Sequence, residues 1–362
     1  MKHGNITVNV MIDTSEFFRV NESAVEVYMT GISHAFSRAV REYNMNVPDV
    51  WLNRVAWVVD EVGKRKDLIL SKEHLILDCR MENIYVTRIA LETMKRLNIP
   101  KDKFTILLSV TPKEELDGYQ YKIDWLAEIN WCHFHDRLME ENIDWESIEL
   151  DDKPILSLSG RATVNRAIFT KQLLDFFGDR CRASFGVTTH YALTESKIMH
   201  LTDLMKPYPF PFSQHTDDKV LGPIHLQHNP PGHMLYKSLV SVVHETNDSQ
   251  HDRILLTEKT FKAFAWHQLP IFVATPGHVR MVRELGFDLF DDIIDHSYDD
   301  CTNPNRHRVK VFLQITKLIN MNPAVEDWQN MRKKLWSRIA ANHELVIKLK
   351  ENRIIEHWPH YG

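Results

Sequence analysis

The chain is poor in cysteine: four in 362 residues, Cys79, Cys132, Cys181 and Cys301, with no paired spacing among them. That argues against a disulfide framework and against a cysteine-based zinc site, and points to a reducing compartment. No apolar run is long enough to span a bilayer, and the first residues lack a signal-peptide pattern, so a cytoplasmic protein without a membrane span is expected. Internal repeats and low-complexity tracts are absent, which sets aside solenoids and linker-like chains. An excess of positive charge is lacking too: 44 Lys and Arg stand against 49 Asp and Glu, a formal charge of −5. That weighs against nucleic acid as a partner, although net charge does not report where charges cluster, and a local basic groove stays open.

What is present is the composition of an ordinary globular protein, 43% hydrophobic and 26% charged, long enough for two domains. Residues 6–13 alternate like a strand, 25–43 and 85–97 have helical periodicity, 68–70 and 74–78 are short apolar runs, and 104–110 is a strong buried strand. This alternation predicts a first α/β domain over 1–150. Cys132-His133-Phe134-His135-Asp136 invites a metal reading, but its spacing fits no common zinc pattern and no second ligand cluster accompanies it, so no metal is expected. The polar stretch 141–153 reads as a solvated linker. Beyond it the order renews: a strand at 155–158, a small-residue loop at 159–163, a helix over 165–177 and a strand at 238–243. Residues 182–186 and the proline-rich 207–231 read as loops, 303–319 as a basic helix and 326–349 as a longer amphipathic helix. The expected second domain spans 151–322, with a C-terminal helix over 323–362 that could cross back to the first domain.

The richest stretch is 254–300. The apolar run 254–256 suits a strand, Thr257 can cap a helix, and Glu258 falls in its first turn, where the helix dipole favours an acid. Phe261, Phe264 and Ala265 form an apolar stripe that suits the core. Pro270 ends the helix before a strand at 271–274, and Thr275-Pro276-Gly277 reads as a loop. This is a βαβ pattern, whose helix start is a natural anion site. Glu258 and Lys262 stand four apart on one helix face, which on its own describes a surface ion pair worth about 0.3 kcal/mol.

Thr257-Glu258-Lys259, Phe261, Lys262 and Leu269-Pro270 before an apolar strand resemble the α1,3-fucosyltransferase signature of GT-B glycosyltransferases. The later G-F-D-x-F and I-I-D-H-S-Y-D-D resemble a related group of glycosyltransferase-like proteins from phages, large viruses and marine bacteria, which usually show D-E-S-Y-D; His296 stands where Glu is usual. The resemblance covers about 153–318. It implies an α/β fold of two Rossmann-like domains facing a cleft, and a nucleotide-sugar donor, GDP-linked sugars among the candidates, with no further cofactor. Its acceptor would be a glycan or another hydroxyl-bearing molecule. It implies that Lys259 and Lys262 meet the pyrophosphate with the Thr257-capped helix start, and that Glu258 accepts from ribose hydroxyls. Arg161 and Arg166 resemble the two basic positions of the group's N-x-R-x-R-x-H-R segment, and Glu245 matches the acid that follows its strand. For Arg161 and Arg166 a phosphate contact and a surface arginine at a helix start are equally open. Asp295, Tyr298 and Asp299 either close on the nucleotide or cap the next helix.

Sugar transfer needs leaving-group stabilisation, which basic side chains can supply without a metal, and the absence of a D-x-D tripeptide disfavours a metal-dependent GT-A enzyme. A base to deprotonate the acceptor should come from the first domain; Asp13, Glu16, Glu128 and Asp136 are all candidates, and spacing selects none. Two other functions compete. One is a non-catalytic descendant that keeps the fold for binding or viral assembly. The other is a phage-type DNA glycosyltransferase, which would need a basic groove; the Lys/Arg cluster from Arg332 to Arg338 leaves it open.

Overall fold

A computed structural model describes residues 19–20, 27–28, 75–78, 95–108, 118, 120–123, 126, 129, 144–159, 162–186, 195–209, 212–213, 237–245 and 254–354. The chain divides into two compact units, Met1–Asp124 and Trp125–Gly362. The first contains an antiparallel pair, β1 (Arg19–Val20) with β2 (Val27–Tyr28), and a parallel three-stranded sheet in the order β3 (Leu75–Asp78), β4 (Phe104–Leu108), β5 (Gln120–Ile123). Val27 and Tyr28 fall within a stretch whose periodicity predicts a helix; their β-branched and aromatic side chains suit a strand as well.

The second unit is an α/β fold on a five-stranded sheet. Its strands are β6 (Ile155–Ser159), β7 (Cys181–Phe185), β8 (Phe212–Ser213), β9 (Val240–His244) and β10 (Leu269–Val273). Their order is β10-β9-β6-β7-β8; four run parallel and β8 pairs antiparallel to β7 at the edge. The chain therefore moves outward from β6 to β8, then returns to lay β9 on the other side of β6. Such a reversal creates a crevice at the carboxyl ends of β6 and β9, as in doubly wound, Rossmann-like sheets. β9 and β10 read V-S-V-V-H and L-P-I-F-V and are buried throughout, as parallel strands covered on both faces must be. Pro270 is tolerated because β10 is an edge strand.

Among the described residues, six α-helices belong to this unit: α1 (Val164–Phe177), α2 (Glu195–Met205), α3 (Glu258–Ala265), α4 (His278–Glu284), α5 (Pro304–Met321) and α6 (Val325–Ile354). None is long and apolar enough to cross a membrane. α1 packs on β6 and β7, α3 on β9 and β10, α5 on β10, and α6 on α3. The apolar stripe of α3 lies in the core: Phe261 and Phe264 are fully buried, and Phe264 stacks on Phe287 with ring centroids 4.2 Å apart.

Further expectations change: the proline-rich 207–231, read as a loop, contains β8, and Pro270, read as ending a helix, lies inside β10. Residues 182–185 form most of an interior strand, not a loop. Arg182 and Ser184 disguise β7, and the burial of Arg182 is met from elsewhere: it donates to Asp151 at 2.6 Å and to Ser238 at 3.4 Å. The first strand of the central βαβ unit is β9; the run 254–256 contributes only an isolated bridge at Leu255. The stretch read as a solvated linker is anchored in the second unit. Leu150 is buried, Trp145 and Ile148 pack against the same core, Arg332 donates to the carbonyls of Trp145 and Ile148, and the Trp145 ring stacks on His267 at 4.5 Å.

Candidate functional site

Four helices begin at the carboxyl edge of the sheet, and each needs partners for its first N–H groups. At α3, Thr257 takes the cap position, and its hydroxyl accepts from Lys259 N–H at 3.3 Å. Behind it lies Glu245, the residue after β9, only 2% exposed. Its carboxylate accepts from Thr257 N–H at 3.2 Å, from the Thr257 hydroxyl at 2.5 Å and from the Thr260 hydroxyl at 2.5 Å. Thr260 has one proton, and Glu245 takes it, so the contact between Thr260 Oγ1 and His278 Nε2 at 3.0 Å is donated by the imidazole. His278 is therefore the neutral Nε2–H tautomer, in keeping with burial lowering its pKa. Arg166, 2% exposed, closes the end of β9 by donating to the carbonyls of Glu245 at 2.7 Å and His244 at 3.3 Å. No ligand contact is needed to account for the burial of Arg166 or Glu245.

The lysines lie at the surface of the same helix start. Lys259 Nζ donates to Glu258 Oε1 at 2.9 Å and to Thr257 Oγ1 at 3.2 Å, and Lys262 Nζ is 3.7 Å from that same Glu258 oxygen. The Lys259, Glu258 and Lys262 side chains are 29%, 18% and 13% exposed. One carboxylate thus holds two ammonium groups together on the first two turns, a cation pair of the kind that binds phosphate.

Asp295, Tyr298 and Asp299 divide their work. Asp295 is exposed and accepts from Ser297 N–H and Oγ, contacts that hold its carboxyl below the usual range. Asp299 is buried and caps α4, the helix before it in the chain, accepting from Val279 N–H at 3.0 Å and Arg280 N–H at 3.1 Å. Gly277 enters that cap at φ 86°, where a side chain would be strained. Tyr298, fully buried, accepts from Phe272 N–H of β10 at 3.2 Å and contacts His296 Nδ1 at 2.7 Å. His296 Nε2 faces the carbonyl of Leu289 at 2.8 Å, which can only accept. Nε2 therefore carries the proton and Tyr298 donates to Nδ1. His296 completes this chain as a neutral ring, its pKa lowered by burial.

A shallow open pocket adjoins these groups, at the end of β10 between the first turns of α1 and α5. It is lined by Asn165, Val273, Ala274, Pro276, Cys301, Pro304, His307 and Arg308. His307 is anchored by Nε2 facing the Phe272 carbonyl at 3.3 Å, and burial lowers its pKa. Arg308 Nη2 donates to Asn305 Oδ1 at 2.5 Å, while its Nη1 is buried without a hydrogen-bond partner. Sequence motifs single out none of these residues. The detectable signal was the opening of α5, N-P-N-R-H-R-V-K, basic where an acid is expected.

Arg161 and the cluster Cys132–Asp136 lie outside the described residues, as do Asp13, Glu16 and Glu128. Among the described residues no three His, Cys, Asp or Glu side chains converge on a point that could hold a metal. Comparison with protein-family models, curated proteins and solved structures yields no match to this chain.

Proposed function

We propose that the protein is a glycosyltransferase that moves a sugar from a nucleotide-activated donor to an acceptor hydroxyl, without a metal, in the manner of the fucosyltransferase-like GT-B enzymes it resembles. The second unit is then the sugar-nucleotide-binding domain, and the two units are Rossmann-like domains facing a cleft, in a cytoplasmic protein. The observation that carries this is the pair Lys259 and Lys262 at the start of α3, beside the end of β9 where doubly wound sheets take nucleotides. Departure of a nucleoside diphosphate places negative charge on the leaving phosphate, and two ammonium groups and a helix start stabilise that charge as it develops. Glu258 bridges the lysines until a phosphate takes its place, and is then available to accept from a ribose hydroxyl.

The test is to incubate the protein with a panel of nucleotide sugars and measure release of nucleoside diphosphate, with and without acceptor glycans. Release that depends on Lys259 supports transfer. Nucleotide binding without turnover on any donor would leave a binding protein in place of an enzyme. Activity lost to a chelator and restored by manganese would overturn the metal-free mechanism.

A further inference from the structure

We propose that α5 and the end of α1 form a docking surface for an anionic phospholipid bilayer, with Val309, Leu313 and Phe176 entering among the lipid headgroups and Arg306 and Lys317 meeting their negative charge. The topology sets this surface apart. α1 joins β6 to β7 and α3 joins β9 to β10, in opposite directions along the sheet. Right-handed crossovers place two such helices on opposite faces. α6 packs on α3, while α2 and α5 pack beside α1: Phe312 of α5 lies 4.9 Å from Phe169 and 5.9 Å from Phe177 between ring centroids. Among the described residues, every exposed large apolar side chain belongs to this layer of α1, α2 and α5, and none to α3, α4 or α6. Phe176 is 74% exposed, Val309 59% and Leu313 58%. Apolar side chains gathered in water on one face mark a contact with a partner or a membrane.

Charge selects the occupant. In a chain of net charge −5, α5 reads P-N-R-H-R-V-K-V-F-L-Q-I-T-K-L-I-N-M, with four basic residues and no acid. Arg306, Val309, Leu313 and Lys317 follow one another at helical spacing as a single exposed stripe, basic at its ends and apolar between. None of the four basic side chains is ion-paired to a carboxylate of the described residues. Lys310 and Lys317 donate to the carbonyls of Ser297 and Ile293, which leaves their charge in place. Asp295, the acid close to both, is committed to Ser297 N–H and Oγ, and Asp175, beside Phe176, is paired with Lys171. A second copy docked through the same stripe would set four positive charges against four, so the complementary occupant is anionic. An acidic amphipathic helix would need a groove for its apolar anchors. Phe176, Val309 and Leu313 stand out from the surface instead, and none of them lines the pocket between α1 and α5. A bilayer takes projecting apolar side chains flanked by cations without a groove, and such surface binding needs no membrane-spanning helix.

The experiment floats the full-length protein on density gradients with phosphatidylcholine vesicles, with and without phosphatidylserine, at low and high salt. The wild type should bind the phosphatidylserine vesicles and not phosphatidylcholine alone, and salt should weaken that binding. Leu313→Ser should weaken it about tenfold by removing an inserted side chain. Arg306→Gln should weaken it about fivefold, and Arg306→Lys should keep it. Both positions are exposed, so urea unfolding should match the wild type in every variant. If Leu313→Ser fails to fold, Val309→Ser and Arg306→Gln decide. A wild type that does not float with phosphatidylserine overturns the proposal, as does binding that Leu313→Ser and Arg306→Gln both leave unchanged. Without vesicle binding, a dimer in the ultracentrifuge that Leu313→Ser dissociates would give the surface to a second copy. Tight binding of an acidic amphipathic peptide instead would give it to a protein. Either result overturns the lipid assignment. The outcome is independent of the sugar-transfer reading, which nucleotide release tests separately.

Discussion

Two pairs of helix starts at the same sheet edge are built on opposite electrostatic plans. α3 and α4 each receive a carboxylate from within the fold: Glu245 and Glu258 serve α3, and Asp299 takes two N–H groups of α4. Among the described residues, α1 and α5 receive neutral caps alone, Thr163 and Asn303, and carry arginines instead of acids. An acid in a first turn contributes about 0.3–1 kcal/mol, so the first pair follows the rule for stable helices and the second departs from it. The difference teaches that anion potential at a sheet edge is not in itself a vacancy. Where the protein fills it, the carboxylate belongs to the fold; where basic side chains accumulate without one, the described residues leave the positive end of the helix dipole uncompensated.

The largest expected effect removes the internal anion. Glu245→Ala leaves Thr257 N–H and two threonine hydroxyls without their acceptor in a buried site, and the His278 contact loses its anchor. A loss of about 3 kcal/mol is expected, measured as a lowered midpoint of urea unfolding. A change below about 0.5 kcal/mol would mean that Glu245 does not hold the α3 start, and the comparison would fail on its first half.

Next comes Lys259→Ala, which keeps Glu245 in place and removes half of the surface cation pair. Diphosphate binding should weaken by about 1.5–3 kcal/mol, or tenfold to a hundredfold, while unfolding changes by no more than about 0.5 kcal/mol. The small stability term follows from exposure: the side chain is 29% exposed and its partner Glu258 18% exposed, so the pair is partly screened by solvent. Equal affinities of wild type and variant across GDP, UDP, ADP and CMP would make Lys259 a plain surface residue.

Acidification separates charge from packing. His267 lies against Trp145, Trp336 and His343, and burial foremost, with His343 and Arg332 nearby, lowers its pKa to about 2. The unfolded imidazole takes a proton near pH 6.5 and the folded one does not until about 2. Between these values the unfolded state binds more protons, so stability falls as pH falls. The slope is up to about 1.4 kcal/mol per pH unit for such a group. His244, His278, His296 and His307 are shifted in the same direction. Urea unfolding between about pH 6.5 and 5, above the range of ordinary carboxylates, should show the decline, and His267→Asn, which tolerates the φ of 57°, should flatten it. Because burial keeps His244 and His307 neutral beside Arg166 and Arg308, they add no charge to the second pair of helix starts over that interval.

How much of this could be read from the sequence follows from how far each residue's partners lie along the chain. β10 and α3 were legible because their signals are local, an apolar run and Thr257 as a cap; Pro270, which reads as the end of the helix, instead lies inside β10, tolerated because that strand is at the sheet edge. β7 was hidden because Arg182 and Ser184 look like loop residues until Asp151 and Ser238 are placed beside them. Trp145, Ile148 and Leu150 sit in an acidic stretch, and nothing nearby in sequence shows that Gln329 and Arg332 of α6 reach back to hold it. For the site, Glu245 and Asp299 could be placed near strand and helix ends, but not assigned to the particular N–H groups they satisfy. Arg308 belongs to no motif; only its position at a helix start, without an acid, marked it.

The smallest effect gives the finest discrimination. Asn305→Asp changes one atom in the first turn of α5 and supplies the carboxylate that the turn lacks, at the oxygen to which Arg308 Nη2 already donates. As a fold, α5 should gain: an acid near the dipole's positive end, three residues before an arginine, adds about 0.5 kcal/mol. As a surface it should lose, because the new carboxylate pairs with Arg308 and lowers the positive charge that α5 offers to anionic headgroups. The expected outcome is a slightly raised urea midpoint together with weaker binding to phosphatidylserine vesicles. These two changes have opposite signs, which no general loss of structure produces. A raised midpoint with unchanged vesicle binding would show that the basic start of α5 is a tolerated imperfection of the helix, and the distinction between the two pairs of helix starts would then concern stability alone.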